Sequence, residues 1–185
     1  MKDSRDLIVI GGGALGMISA RRFAAAGRKV VLLERDRAGH GTSRAGGGIM
    51  SPLEPWNAVG PVAALSALSL PLLPKLAAAL AADTGIDPLY RVTGAIYLDC
   101  QEIEAALAFA RAQGQAAEVL DEARLAAVAP AAARRPGPSL LLPGIAQIRN
   151  PRFLDALGAD LRRRGLACWR TPGRSASSLR AAAWW

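Results

Sequence analysis

The sequence predicts an α/β protein that opens on a parallel βαβ unit and runs on into a smaller, mixed region. Three observations predict it. Asp6-Leu7-Ile8-Val9-Ile10 and Lys29-Val30-Val31-Leu32-Leu33-Glu34 are uninterrupted apolar runs, the pattern of strands buried on both faces. Between them, Leu15, Ile18, Ala20, Phe23 and Ala26 share one helical face over residues 14–26, with Gly27 as the stop. Further along, alternating and helical patterns follow one another without the regular strand-helix-strand rhythm, so a second kind of sheet is expected.

Element by element, the strand at 6–10, the glycine turn, the helix at 14–26 and the strand at 29–34 complete a βαβ unit. Residues 35–48 carry too much glycine for regular structure. Residues 62–82 are helical in pattern and close at Asp83-Thr84-Gly85. Pro55 to Pro74 is uncharged and near membrane-spanning length, but Gly60, Pro61, Ser66, Ser69, Pro71 and Pro74 interrupt it, which predicts an interior amphipathic helix and no membrane span. Tyr90 to Leu98 alternates and predicts a strand or hairpin bulged at Gly94. A helix over 102–113 ends at Gly114, and a short one over 121–126 ends before Pro130. Residues 139–142 and 146–148 read as strands. Asn150 is expected to cap a helix that takes Pro151 in its first turn and runs to about Arg164, followed by a strand at 165–169.

The chain has 185 residues, room for one domain and part of another. Its residues are 51% hydrophobic and 21% charged, enough apolar matter for a core. The formal charge of +8 lies wholly in residues 134–185, since residues 1–133 are balanced. No acid follows Asp160, and the late arginines stand among Ser, Ala and Gly rather than across a patterned face, so nucleic-acid binding is not expected. Cys100 and Cys168 lack partners at ligand spacing, which excludes a zinc site or a disulfide framework and fits reduced thiols in the cytoplasm. His40, the only histidine, excludes any site needing two imidazoles, and no nucleophile elbow surrounds it or Ser43. Asp3 and Asp6 stand where a signal peptide requires positive charge.

Chemistry concentrates in the first turn. Gly11, Gly13 and Gly16 form G-x-G-x-x-G between strand and helix: Gly11 permits the tight turn, Gly13 lets a pyrophosphate approach the backbone, and Gly16 lets helix and strand pack closely. The helix N-terminus offers the anion its N–H groups and positive dipole end. Glu34 closes the second strand where a carboxylate accepts ribose hydroxyls, which disfavours a 2′-phosphate and leaves NAD or FAD. A second cluster, Gly39-His40-Gly41-Thr42-Ser43-Arg44-Ala45-Gly46-Gly47-Gly48-Ile49-Met50, follows without an intervening helix and suits a longer cofactor that needs close backbone approach.

Gly11–Glu34 with Arg35 and Ser43–Ile49 resembles the FAD-dependent oxidoreductases of the D-amino acid oxidase, sarcosine oxidase and glycine oxidase group. Pro52-Leu53-Glu54-Pro55-Trp56, Thr84-Gly85-Ile86-Asp87-Pro88 with Thr93-Gly94, and Arg149-Asn150-Pro151-Arg152 look most like the glycine oxidase branch, which serves thiamine biosynthesis. The resemblance covers residues 6–168. It implies a Rossmann-like FAD-binding domain, incomplete here, from residues 1–88 and 151–170, and a partial substrate domain from 89–150. Cofactor contacts are implied at Gly11, Gly13, Ala14, Leu15, Gly16, Glu34, Arg35, Thr42, Ser43, Gly47, Gly48 and Ile49. It further implies oxidation of a small amino acid or amine to an imine, with oxygen reduced to hydrogen peroxide, and homo-oligomers among full-length relatives. The family's substrate-carboxylate clamp, an Arg and a Tyr, comes from the later half of a longer chain, and Arg44, Tyr90 and Tyr97 do not match its positions. No catalytic residue is therefore assigned. Residues 171–185 match nothing expected of the family and read as an aberrant basic tail, the mark of a truncated chain or a shifted reading frame. Two alternatives stand beside the oxidase: a non-catalytic FAD-binding fragment and an NAD-dependent dehydrogenase.

Overall fold

The computed structural model describes residues 4–52, 54–58, 60–132 and 137–170. The predicted tail at 171–185, and Leu53 within the Pro52–Trp56 segment, lie outside the described residues. The chain divides into two compact units. The described residues of the first are 4–47, 77–89 and 149–170; those of the second lie within 48–76 and 90–148. Residues 48–76, which the sequence groups with the first domain, fall in the second unit.

In the first unit, strand β1 (Leu7–Ile10), helix α1 (Ala14–Ala25) and strand β2 (Val30–Glu34) form the expected βαβ unit, with Gly27 at φ 78° turning the chain back. β1 pairs parallel with β2, Leu7 opposite Val30 and Val9 opposite Leu32. The last strand, Ala167–Arg170, pairs parallel with the far edge of β2, Val31 opposite Ala167. β2 is therefore central, and its Val30, Val31 and Leu32 are buried. On β1 the alternate residues Ile8 and Ile10 are exposed, so this strand is covered on one face where the sequence predicts two.

A helix over Asn150–Arg163 packs against α1. It buries Phe153, Leu154, Ala156, Leu157 and Leu161 together with Asp160. The Asp160 carboxylate accepts from Arg21 Nε at 2.9 Å and Arg164 Nε at 2.7 Å, so the buried charge is compensated by two guanidinium groups. Asp83 lies 3.9 Å from Arg21 Nη2 and 3.5 Å from Arg164 Nη2 and extends the network.

The predicted helix at 62–82 is broken. It comprises α3 (Gly60–Ser69), a 3-10 turn over Leu70–Leu72 and α4 (Leu73–Thr84), because Pro71 and Pro74 cannot supply their backbone donors. α3 buries no residue, and Val62, Leu65, Leu68 and Leu72 are exposed, so the expected interior helix is a surface one. By length and composition alone the run Gly60–Thr84 would suffice to cross a membrane, which by itself does not mark a membrane protein.

In the second unit, the predicted strand or hairpin at 90–98 is two short strands assigned to different sheets, β3 (Arg91–Val92) and β4 (Ala95–Tyr97). Gly94, at φ 74°, marks the irregularity between them: the Thr93 and Gly94 N–H groups both donate to the Ile145 carbonyl, and the antiparallel pairing against residues 140–147 shifts by one residue there, as at a bulge. Helix α5 (Ile103–Ala112) precedes β5 (Glu118–Leu120), a strand too short for its alternation to be read from sequence. Helix α6 (Glu122–Val128) starts at Asp121, whose carboxylate accepts from the Arg124 N–H. β6 (Ser139–Leu142) lies between β4 and β5, antiparallel to both, and β7 (Ala146–Gln147) pairs with β3. The core is Ala106 and Ala110 of α5 against Leu140, Leu142, Ile145 and Cys100. The helix at Asn150–Arg163 and the strand at Ala167–Arg170 are hereafter α7 and β8.

Candidate cofactor site

The glycine turn is built from the end of β1 upward. Gly11 sits at φ 103°, a conformation that L side chains rarely adopt, and its N–H continues the ladder to the Leu33 carbonyl at 2.8 Å. A Cβ at Gly16 would fall on the Gly11 carbonyl oxygen, so strand and helix close on each other only because Gly16 has none. Gly13 is the N-cap of α1, and no side chain caps that helix from there. A Cβ at Gly13 would lie 3.0 Å from the Ser43 hydroxyl, which itself accepts the Ala14 N–H at 3.1 Å. The first turn of α1 contains no acid, so the positive end of the helix dipole is not neutralised by its own sequence.

The second strand delivers Glu34 to the same place. Its Oε2 accepts the Gly12 N–H at 2.6 Å and its Oε1 accepts the Asp36 N–H at 2.9 Å. These backbone donors, the one at Asp36 foremost, hold the carboxyl below its ordinary value against the opposing effect of burial. The group is an anion at neutral pH and an acceptor for hydroxyls. Gly12 was not singled out by the fingerprint, yet a Cβ there would press on Ala38 Cβ at 2.9 Å and Glu34 Cβ at 3.1 Å. The sequence signal was the unbroken glycine triplet where the fingerprint asks for only two of its residues.

The second glycine cluster is not wholly irregular as expected. Thr42–Ala45 forms a one-turn helix, α2, which places the Ser43 hydroxyl at the N-terminus of α1. Of the predicted contacts, Gly11, Gly13, Ala14, Leu15, Gly16, Glu34, Arg35, Thr42, Ser43 and Gly47 belong to the first unit. Leu15 is 80% exposed, on the first turn of α1. The Arg35 side chain is exposed, with Nε donating to Asp36 at 3.2 Å. Gly48 and Ile49 belong to the second unit, where the Gly48 carbonyl accepts the Ile148 N–H at 2.8 Å and Ile49 bridges to Gln147.

The residues weighed for a carboxylate clamp are engaged elsewhere. The Arg44 guanidinium donates to Asp155 at 2.9 Å, and this bond lowers the Asp155 carboxyl from its ordinary value. Tyr97 packs edge-on to Trp56 with ring centroids 4.9 Å apart, and burial raises its phenol. Tyr90 is half-buried. Among the described residues no group of acids, cysteines and histidine is arranged to hold a metal ion.

A turn that a Cβ would fill, a helix N-terminus, a hydroxyl and an ionised carboxylate thus converge within one unit. Backbone N–H groups and a positive dipole end match a pyrophosphate, and Glu34 matches a ribose, so the residues present fit a dinucleotide.

Comparison with known proteins agrees. Residues 6–172 match the FAD dependent oxidoreductase (DAO) family. The chain is 35% identical over 158 residues to glycine oxidase of Pseudomonas aeruginosa and 34% identical over 158 residues to that of Pseudomonas putida. In each case the match covers 85% of this chain and 43% of the relative. The crystal structure of glycine oxidase from Geobacillus kaustophilus superposes with a TM-score of 0.80 at 26% identity, over 90% of this chain and 46% of that one. The chain spans less than half the length of these relatives.

Proposed function

The chain belongs to the FAD-dependent oxidoreductase family, and on that premise we propose that it holds FAD and is the cofactor-binding part of an oxidase for a small amino acid or secondary amine. The observation that carries the proposal is the convergence of the Gly11–Gly16 turn, the Ser43 hydroxyl and the Glu34 carboxylate on the N-terminus of α1. The family membership displaces the nicotinamide-dependent dehydrogenase, whose cofactor the same turn would fit.

In this reading Gly13, Ala14, Leu15 and Gly16 bind the pyrophosphate through the backbone, and Glu34 with Arg35 takes the adenosine end. Thr42, Ser43, Gly47, Gly48 and Ile49 serve the rest of the cofactor. When bound, FAD would supply a two-electron acceptor for oxidation of the substrate amine to an imine, the amine giving up a hydride from Cα and a proton from nitrogen; water would hydrolyse the imine, and oxygen would take the two electrons with two protons as hydrogen peroxide. This chain's own residues position the cofactor and neutralise its phosphates; none of them is assigned a proton-transfer role. The physiological partners are then a small amino acid or amine and oxygen, without nucleic acid and without a membrane, in the cytoplasm.

The test is titration of the purified chain with FAD, followed by flavin fluorescence, with NAD as the competitor. Saturable FAD binding that NAD does not displace supports the proposal; NAD binding without FAD binding overturns it.

A further inference from the structure

Three contacts converge on the second glycine cluster from the first two turns of α7. Asn150 Nδ2 donates to the Gly46 carbonyl at 2.9 Å. Asp155 Oδ1 accepts from Arg44 Nη1 at 2.9 Å. Leu154, buried in the core, packs so closely under Gly39 that a Cβ there would lie 3.2 Å from Leu154 Cβ. The expected role of Asn150 was to cap α7, but it is the first residue of the helix and its side chain makes no cap. Gly46 accommodates it closely, since a Cβ at Gly46 would stand 2.6 Å from Asn150 Nδ2. The tethered stretch is the one that carries Ser43, whose hydroxyl meets the Ala14 N–H at the mouth of α1.

We infer that Asn150 and Asp155 are positioning residues for the cofactor: they hold residues 42–46 to α7 so that the Ser43 hydroxyl stays fixed at the N-terminus of α1. Neither side chain needs to touch the cofactor. The inference rests on the reading of this turn as the FAD site. A four-residue helix without side-chain caps has little stability of its own, so its placement must come from such external contacts. Asn150 supplies the contact at its C-terminal end, where the Gly46 carbonyl follows it, and Asp155 supplies the contact through Arg44 within it.

The decisive variant is Asn150→Asp. It keeps the size of the side chain, replaces the donor with an anion facing the Gly46 carbonyl, and places a negative charge in the first turn of α7, where the helix dipole favours it. A role confined to helix stability predicts an unchanged or raised melting temperature and nothing else. The tether predicts about five-fold faster amide exchange over residues 42–48 and about five-fold weaker FAD binding, the scale of one lost hydrogen bond, without a lower melting temperature. Asp155→Asn should act in the same direction and Asp155→Glu should recover most of the loss. If the parent chain binds FAD and Asn150→Asp matches it in both affinity and exchange, the tether is refuted while the site stands. If the parent chain binds no FAD, the cofactor reading falls and the positioning role falls with it.

Discussion

Glycines in this site act by what they leave out. At Gly13, a side chain would be driven against the Ser43 hydroxyl and into the space a pyrophosphate needs, so Gly13→Leu should lower FAD affinity at least ten-fold, read by flavin fluorescence. Glu34→Ala removes charge-assisted bonds worth about 1.5–3 kcal/mol, some of them to the Gly12 and Asp36 backbone, so it should weaken FAD binding and loosen the turn together. The pH dependence follows from the same bonds. The folded-state Glu34 carboxyl lies below its ordinary value of 4.5, so its contribution to stability is complete above that value and is lost as pH falls through the lower, folded one. A Glu34→Gln variant should therefore show a flatter acid limb of melting temperature against pH than the parent. At this scale the sequence was most legible. Gly11, Gly13, Gly16 and Glu34 announce themselves by spacing, because each answers to local geometry. Asn150 and Asp155 did not announce themselves as contacts of the second glycine cluster, since their partners lie 104 and 111 residues away and no local period marks such pairings.

Among the elements, legibility followed length and burial. β1, α1 and β2 stand close to their predicted limits, because a long helical face and two apolar runs each carry a periodic signal. β5 has three residues and gave none. The split of 90–98 into two sheets turns on the positive φ of Gly94, which a bulge and a strand break share in sequence. The helical pattern over 62–82 hid the break that Pro71 and Pro74 impose, and in α3 apolar content was mistaken for burial. Because Leu65 and Leu68 are 67% and 72% exposed, Leu65→Gln with Leu68→Gln should change stability by no more than about 0.5 kcal/mol in urea unfolding. The packing of α1 on α7 is of the opposite kind. Asp160 is 1% exposed and bonded to Arg21 of α1 and to Arg164 just past the end of α7. Asp160→Ala leaves both guanidinium groups without that partner and should cost about 3–5 kcal/mol, far more than the surface pair Arg124–Glu118 would on removal.

For the molecule as a whole, binding and turnover separate. The groups that converge on the N-terminus of α1 are backbone N–H groups, the Ser43 hydroxyl and the Glu34 carboxylate, all of them in the first unit. A small amino acid offers little apolar area, so its orientation must come from a carboxylate clamp of guanidinium and phenol groups. Among the described residues, Arg44 is paired with Asp155 and Tyr97 packs edge-on against Trp56, and neither is directed to such a task. The matched relatives carry more than half their length beyond what this chain spans. Any site without such a clamp forfeits the oriented approach of substrate to cofactor, an effect worth roughly 7–11 kcal/mol at best. Peroxide release from glycine and from sarcosine by the FAD-loaded 185-residue chain should accordingly stay close to that of free FAD. Turnover of about 1 per second or faster would place a working clamp within this sequence, and Arg44 and Tyr97 would be the first residues to replace in search of it.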